Sequence, residues 1–177
     1  MIYEEKTVSS TKIFDGRIIK VKVDKVEMPD GTLAERELVE HPGGVGIVAV
    51  CDNGDIIMVK QFRKPLERAI YEIPAGKLDG GEDPEVCGMR ELKEETGYTA
   101  KSFEYLGFIY PSPGFTDEIT HIYLATGLES GDTDFDDDEY LDIERIPFDK
   151  VYQMVMNNEI NDAKSVFGIL KYKEIEK

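Results

Sequence analysis

The sequence predicts a mixed α/β protein, a central sheet with helices on both sides, and three observations point there. Short apolar runs of strand length recur along the chain, separated by clusters of Gly, Pro, Asn and Asp. A well-capped helix over residues 84–96 interrupts them. Two further helical stretches, at about 148–157 and 162–174, close the chain.

Taken in order, residues 1–16 are polar and weakly patterned, and no element is assigned to them. Ile19, Val21 and Val23 then alternate with polar residues, the period of a half-buried strand. Pro29-Asp30-Gly31 is a turn signal, and residues 32–40 return as a second strand. Residues 1–42 therefore read as a small N-terminal antiparallel sheet, joined to a main body of residues 43–177. Apolar runs at 46–51 and 55–62 flank Asp52-Asn53-Gly54, the strongest hairpin signal in the chain. A short segment at 69–73 leads through Pro74 and Ala75 towards the helix. Residues 102–110 and 119–125 read as strands, and the Pro- and Gly-rich 111–118 between them does not. After an acidic loop at 131–139 comes a strand at 140–146, and Asp162 is placed to cap the last helix.

Composition excludes several classes. The chain has 177 residues, room for one ordinary domain and a small appendage. A net charge of −16 argues against nucleic-acid binding, because phosphate backbones need a basic surface. No apolar run is long enough to span a bilayer, and the N-terminal residues lack the basic and apolar regions of a signal peptide. Cys51 and Cys87 make neither a disulfide framework nor a metal-ligand spacing. A cytoplasmic location is the expectation.

The helix holds the chemistry. Asp83 is a good N-cap, Pro84 suits the first helical position, and Gly97 supplies a left-handed stop. At 100° per residue Glu91, Glu94 and Glu95 share one arc with Cys87, while Gly88, Met89, Leu92 and Thr96 form a packing side. Like charges at these spacings cost an isolated helix about 0.2–0.5 kcal/mol per pair. An acidic, solvated helix face is the bland explanation. A divalent cation seated on the carboxylates is the other, since hard ions take oxygen ligands and share them with substrate phosphate.

The full spacing favours the cation. Gly76, five residues, Glu82, seven residues, Arg90-Glu91-Leu92, one residue, Glu94-Glu95, one residue, Gly97 resembles the Nudix box. Tyr98 departs from that pattern, which has an aliphatic residue there, but the position serves packing. The resemblance implies a Nudix-type α/β/α sandwich with a mixed sheet, and a hydrolase that cuts within a nucleoside diphosphate. It also implies Mg²⁺, with Mn²⁺ as an alternative ion, held by Glu91, Glu94 and Glu95 and by the backbone carbonyl of Ala75. Arg90 is expected to orient Glu94 or Glu82, and so to assist catalysis without touching substrate.

Three stretches outside the box resemble the ADP-ribose pyrophosphatase branch: residues 61–68, residues 71–76, and Tyr110-Pro111-Ser112-Pro113-Gly114-Phe115. By that resemblance Arg63, Glu72 and Pro113 bind substrate. On its own, Arg63 could simply pair with Glu67 or Glu72. Arg36, from the N-terminal sheet, would reach the substrate of a second copy in a homodimer. The acidic run defaults to a solvated loop; the resemblance makes Glu139 the residue that activates the attacking water, with Asp137 second. The expected reaction is Mg²⁺-dependent hydrolysis of ADP-ribose to AMP and ribose 5-phosphate. Nucleotide sugars or NADH are alternative substrates, and a non-catalytic nucleotide sensor is the alternative class.

Overall fold

A computed structural model describes residues 3–132 and 140–176. The chain divides into two units, the first made of Met1–Gly43 with Tyr110–Ile119, the second of Gly44–Ile109 with Thr120–Lys177.

In the first unit β1 (Lys6–Asp15), β2 (Lys20–Glu27) and β3 (Leu33–Glu40) form an antiparallel meander. The turn between β2 and β3 closes as expected, with Gly31 at φ +82° and its N–H on the Met28 carbonyl at 2.8 Å. The 110–119 segment lies along β3. Val39 N–H bonds the Phe115 carbonyl at 2.8 Å, and His41 N–H bonds Asp117 Oδ1 at 2.9 Å. Strand β1 is the element the sequence did not reveal. All ten of its residues are exposed, so no apolar alternation marks it.

The second unit is layered. A four-stranded sheet runs β7 (Ala75–Lys77), β4 (Gly44–Ala49), β9 (Thr120–Ser130), β8 (Tyr98–Ile109), with β4 parallel to β9 and the other pairings antiparallel. A second, antiparallel sheet runs β10 (Leu141–Pro147), β5 (Asp55–Arg63), β6 (Arg68–Glu72). The Asp52-Asn53-Gly54 turn forms, with Gly54 at φ +84° and its N–H on the Cys51 carbonyl. The expected hairpin does not, because β4 and β5 part after a single bridge, Val50 to Ile56, and enter different sheets. Turn chemistry is local, whereas β4 is buried at every position and finds better partners in β7 and β9.

Strand alternation sorts the core into two sides. Val45, Ile47, Ala49, Ile57, Tyr123 and Ala125 meet Cys87 and Leu92 of α1 (Pro84–Thr96). Val48, Ile56, Met58, Ile122 and Leu124 meet α2 (Phe148–Met156) and α3 (Ala163–Ile175) through Val151, Val155 and Ile169. The α/β/α arrangement expected from the sequence is thus the observed one. On α1 the packing side differs from expectation. Cys87, Gly88, Glu91, Leu92, Glu95 and Thr96 are buried, and Met89 is exposed. Gly88 lets the helix approach Phe103, whose ring a Cβ would crowd. That close seat turns the helix so that two of its carboxylates face the core.

Candidate active site

Helix α1 begins where Asp83 accepts the N–H groups of Glu85 and Val86, and ends at Gly97 with φ +72°. Its burial pattern sets the site. Glu91 is 9 % exposed and Glu95 2 %, while Glu94 is half-buried. A buried carboxylate needs partners. Glu95 Oε2 accepts the Ala75 N–H at 2.9 Å, which ties the helix to β7. The Glu91 carboxylate lies over Gly76, where a Cβ would overlap it. Only a bare Cα at 76 leaves that place open.

Arg90 binds the rest of the cluster. Its Nε and Nη2 donate to the two Glu82 oxygens at 3.1 Å each, and its Nη1 reaches Glu94 Oε2 at 2.7 Å and Glu91 Oε1 at 2.9 Å. The Arg90 hydrogen bonds hold the Glu82 carboxyl down at about 2. Those same carboxylates raise the arginine above its ordinary value. Burial pushes the neighbouring Cys87 thiol up to about 12, so it is an inert packing group. Tyr98, the departure from the box pattern, packs at the edge of the α1 cluster with the Arg145 guanidinium 5.3 Å from its ring centre.

Arg90 therefore supplies part of the counter-charge that the sequence alone assigns to a metal. Among the described residues no three acidic, His or Cys side chains are gathered in a ligand cage. The donor chemistry still fits a hard divalent ion. Three carboxylates share one helix flank beside the Ala75–Gly76 backbone, and one arginine faces three acids, so the cluster of four keeps two net negative charges.

A second network stands on β5, β6 and α3. Glu72 is 2 % exposed, and Arg63 forks onto it, Nε to Oε1 at 2.5 Å and Nη2 to Oε2 at 2.8 Å. Lys164 Nζ also bonds Oε2 and reaches Asp162 Oδ2 at 3.0 Å. Burial pushes the Glu72 carboxyl up, but the two cations outweigh it and hold it below the ordinary value. Of the two surface pairings open to Arg63, the structure makes the one with Glu72; Glu67 pairs with Lys64. Lys164 gives no sequence signal, because its partner lies 92 residues away.

The second unit thus brings together Arg63, Glu72, Ala75, Arg90, Glu91, Glu94 and Glu95. Arg36 and Pro113 lie in the first. There Arg36 forks onto Glu5 at 2.8 and 2.7 Å, and Pro113 is exposed in the 110–119 segment. Glu139 and Asp137 lie outside the described residues.

A NUDIX domain model matches residues 40–167, and a nucleoside diphosphate sugar hydrolase N-terminal domain model matches residues 5–39. The chain belongs to the Nudix family. It is 48 % identical to an ADP-ribose pyrophosphatase of Bacillus subtilis (strain 168), covering 94 % of this chain and 91 % of that one. It is 45 % identical to a methanol dehydrogenase activator of Bacillus methanolicus, covering 95 % and 92 %. A crystal structure of an ADP compounds hydrolase, 21 % identical, shares the fold with a TM-score of 0.86 over 97 % of this chain and 94 % of that one. Nudix membership brings with it a hydrolase that depends on a divalent metal ion. No helix among the described residues is long and apolar enough to cross a membrane.

Proposed function

We propose that this protein hydrolyses ADP-ribose to AMP and ribose 5-phosphate with Mg²⁺, or Mn²⁺ in its place, as a cytoplasmic homodimer. The observation that carries the reading is the intact acidic box on α1, with Glu91 over bare Gly76 and Glu95 tied to Ala75. The Bacillus subtilis relative supports the choice of substrate. One water is consumed and one phosphoanhydride P–O bond breaks, leaving a phosphate monoester on each product.

Glu91, Glu94, Glu95 and the Ala75 carbonyl would hold the metal. When bound, the ion neutralises charge on the reacting phosphoryl group and makes a coordinated water more acidic. Arg90 keeps Glu82, Glu91 and Glu94 in place through its hydrogen bonds and stays off the substrate. Arg63 offers a planar cation to the diphosphate or the base, and Glu72 anchors it from behind. Glu139 takes the proton from the attacking water, with Asp137 as the second choice. Pro113 shapes the substrate site from its segment.

Residues 1–42 serve as the dimerisation region and 43–177 as the catalytic domain. A three-stranded sheet with one strand wholly exposed is marginal by itself, which favours pairing with a second copy. Arg36 would then leave Glu5 to reach the other copy's substrate. Sedimentation showing only monomer at working concentration would remove both the dimer and the role of Arg36.

The test of the function is a panel of ADP-ribose, nucleotide sugars and NADH, with products identified, with and without Mg²⁺. Release of AMP and ribose 5-phosphate from ADP-ribose at the highest kcat/KM supports the reading. Faster turnover of another diphosphate keeps the reaction and replaces the substrate. No turnover at all leaves a nucleotide-sensing module.

A further inference from the structure

We propose that Lys164 is a positioning residue for this hydrolysis, acting through Glu72 on the guanidinium of Arg63. The inference rests on the reading of Arg63 as a substrate contact and adds the group that fixes it. Arg63 spends Nε and Nη2 on Glu72, and among the described residues its Nη1 has no hydrogen bond. The side chain is 40 % exposed while its anchor is 2 % exposed. One edge of the fork is therefore clamped inside and the other is presented outward, which is the arrangement for receiving a phosphate or carboxylate oxygen.

A clamp works only if its anchor stays still. Lys164 supplies that. Its side chain is only 14 % exposed, and its ammonium spans the Glu72 and Asp162 carboxylates. Asp162 is in turn the N-cap of α3 and takes the Ser165 N–H at 3.1 Å and the Ser165 hydroxyl at 2.6 Å. The Ser165 Oγ accepts the N–H of Ile73, next to Glu72, at 2.9 Å. Two residues on, Ala75 N–H goes to Glu95. The first turn of α3 thus grips both the side chain of Glu72 and the backbone after it, within reach of the metal-holding strand. An ion cluster anchored on a buried carboxylate gains little stability over an apolar one of the same shape, so a positioning role explains its presence better than a stabilising one.

The experiment compares wild type, Lys164→Met, Lys164→Arg and Lys164→Gln, alone and with Glu72→Gln, on whichever diphosphate of the panel the wild type turns over best. K164M is expected to raise KM about tenfold while kcat changes by less than about threefold, and K164R to recover most of the loss. On the Glu72→Gln background, K164M should add less than about twofold, because its target is gone. K164Q keeps a donor but not the charge, and carries the test if K164M does not fold. A fall in kcat or melting temperature with KM unmoved, or full additivity with Glu72→Gln, overturns the role of Lys164 and leaves the substrate reading standing. A different best substrate replaces ADP-ribose and leaves the Lys164 test intact. A wild type inert on the whole panel overturns both.

Discussion

Two charged clusters in the second unit are built on opposite principles. On α1 a single arginine serves three carboxylates, and the cluster keeps an acidic excess. Across β6 and α3, Arg63 and Lys164 serve Glu72 and Asp162, and the charges balance. The first group of paired side chains is left with an excess of negative charge, and the second is not. On the proposed reading the balanced cluster holds Arg63 in position, whereas the acidic one would be completed by a divalent ion. Their sequence footprints differ as well. The α1 cluster is written within 14 residues, from Glu82 to Glu95, and the balanced one spans about a hundred.

The comparison breaks most sharply at Glu95. Glu95→Gln keeps an oxygen for the Ala75 N–H but removes a charge from the acidic side. Metal-dependent turnover should fall about a thousandfold or more, with the melting temperature nearly unchanged, as read by steady-state kinetics and calorimetry. A variant of near wild-type activity would erase the distinction between the clusters. Next comes Glu139→Gln, expected to lower kcat about a hundredfold with KM unchanged, as general-base losses do. A larger fall in Asp137→Asn would move the role there.

Gly76→Ala sharpens the account of the acidic side. Its Cβ must displace the Glu91 carboxylate, the far end of a flexible side chain, so the fold should survive. The Mg²⁺ concentration for half-maximal rate should rise about tenfold. An unaltered metal requirement would mean that Glu91 is not a ligand.

The smallest effect is on acid stability and belongs to Arg90. Glu82 is held near 2 against an ordinary 4.5, a depressed carboxylate. Its contribution is therefore complete above about pH 4.5 and is lost as pH falls towards 2. Arg90→Gln forfeits that contribution. The gap in melting temperature between wild type and variant should be constant above pH 5 and close towards pH 2. A gap that widened on acidification would contradict the pairing of Arg90 with Glu82.

How much of this was legible follows the same division. Caps, helix length and the acidic arc of α1 depend on neighbours within a few residues, and Asp83, Pro84 and Gly97 marked them well. The outward turn of Met89 was not legible, because the seat of α1 is set by Phe103 against Gly88, a tertiary fit. Strand β1 escaped notice because a fully exposed strand has no apolar period to read. The Asp52-Asn53-Gly54 turn is local and legible in the sequence; the partners of β4 are not, because burial on both faces decides them. Lys164 is hidden because its partner Glu72 lies 92 residues away, and nothing in the first turn of α3 points to it.

The claim that α1 is an unfinished cation site is tested most directly by calorimetric titration of Mn²⁺ into wild type and Glu95→Gln, each saturated with a non-hydrolysable ADP-ribose analogue. Wild type should bind the ion, and the variant should bind it at least about tenfold more weakly. Equal affinity in the two proteins, or no binding by wild type, would contradict the account.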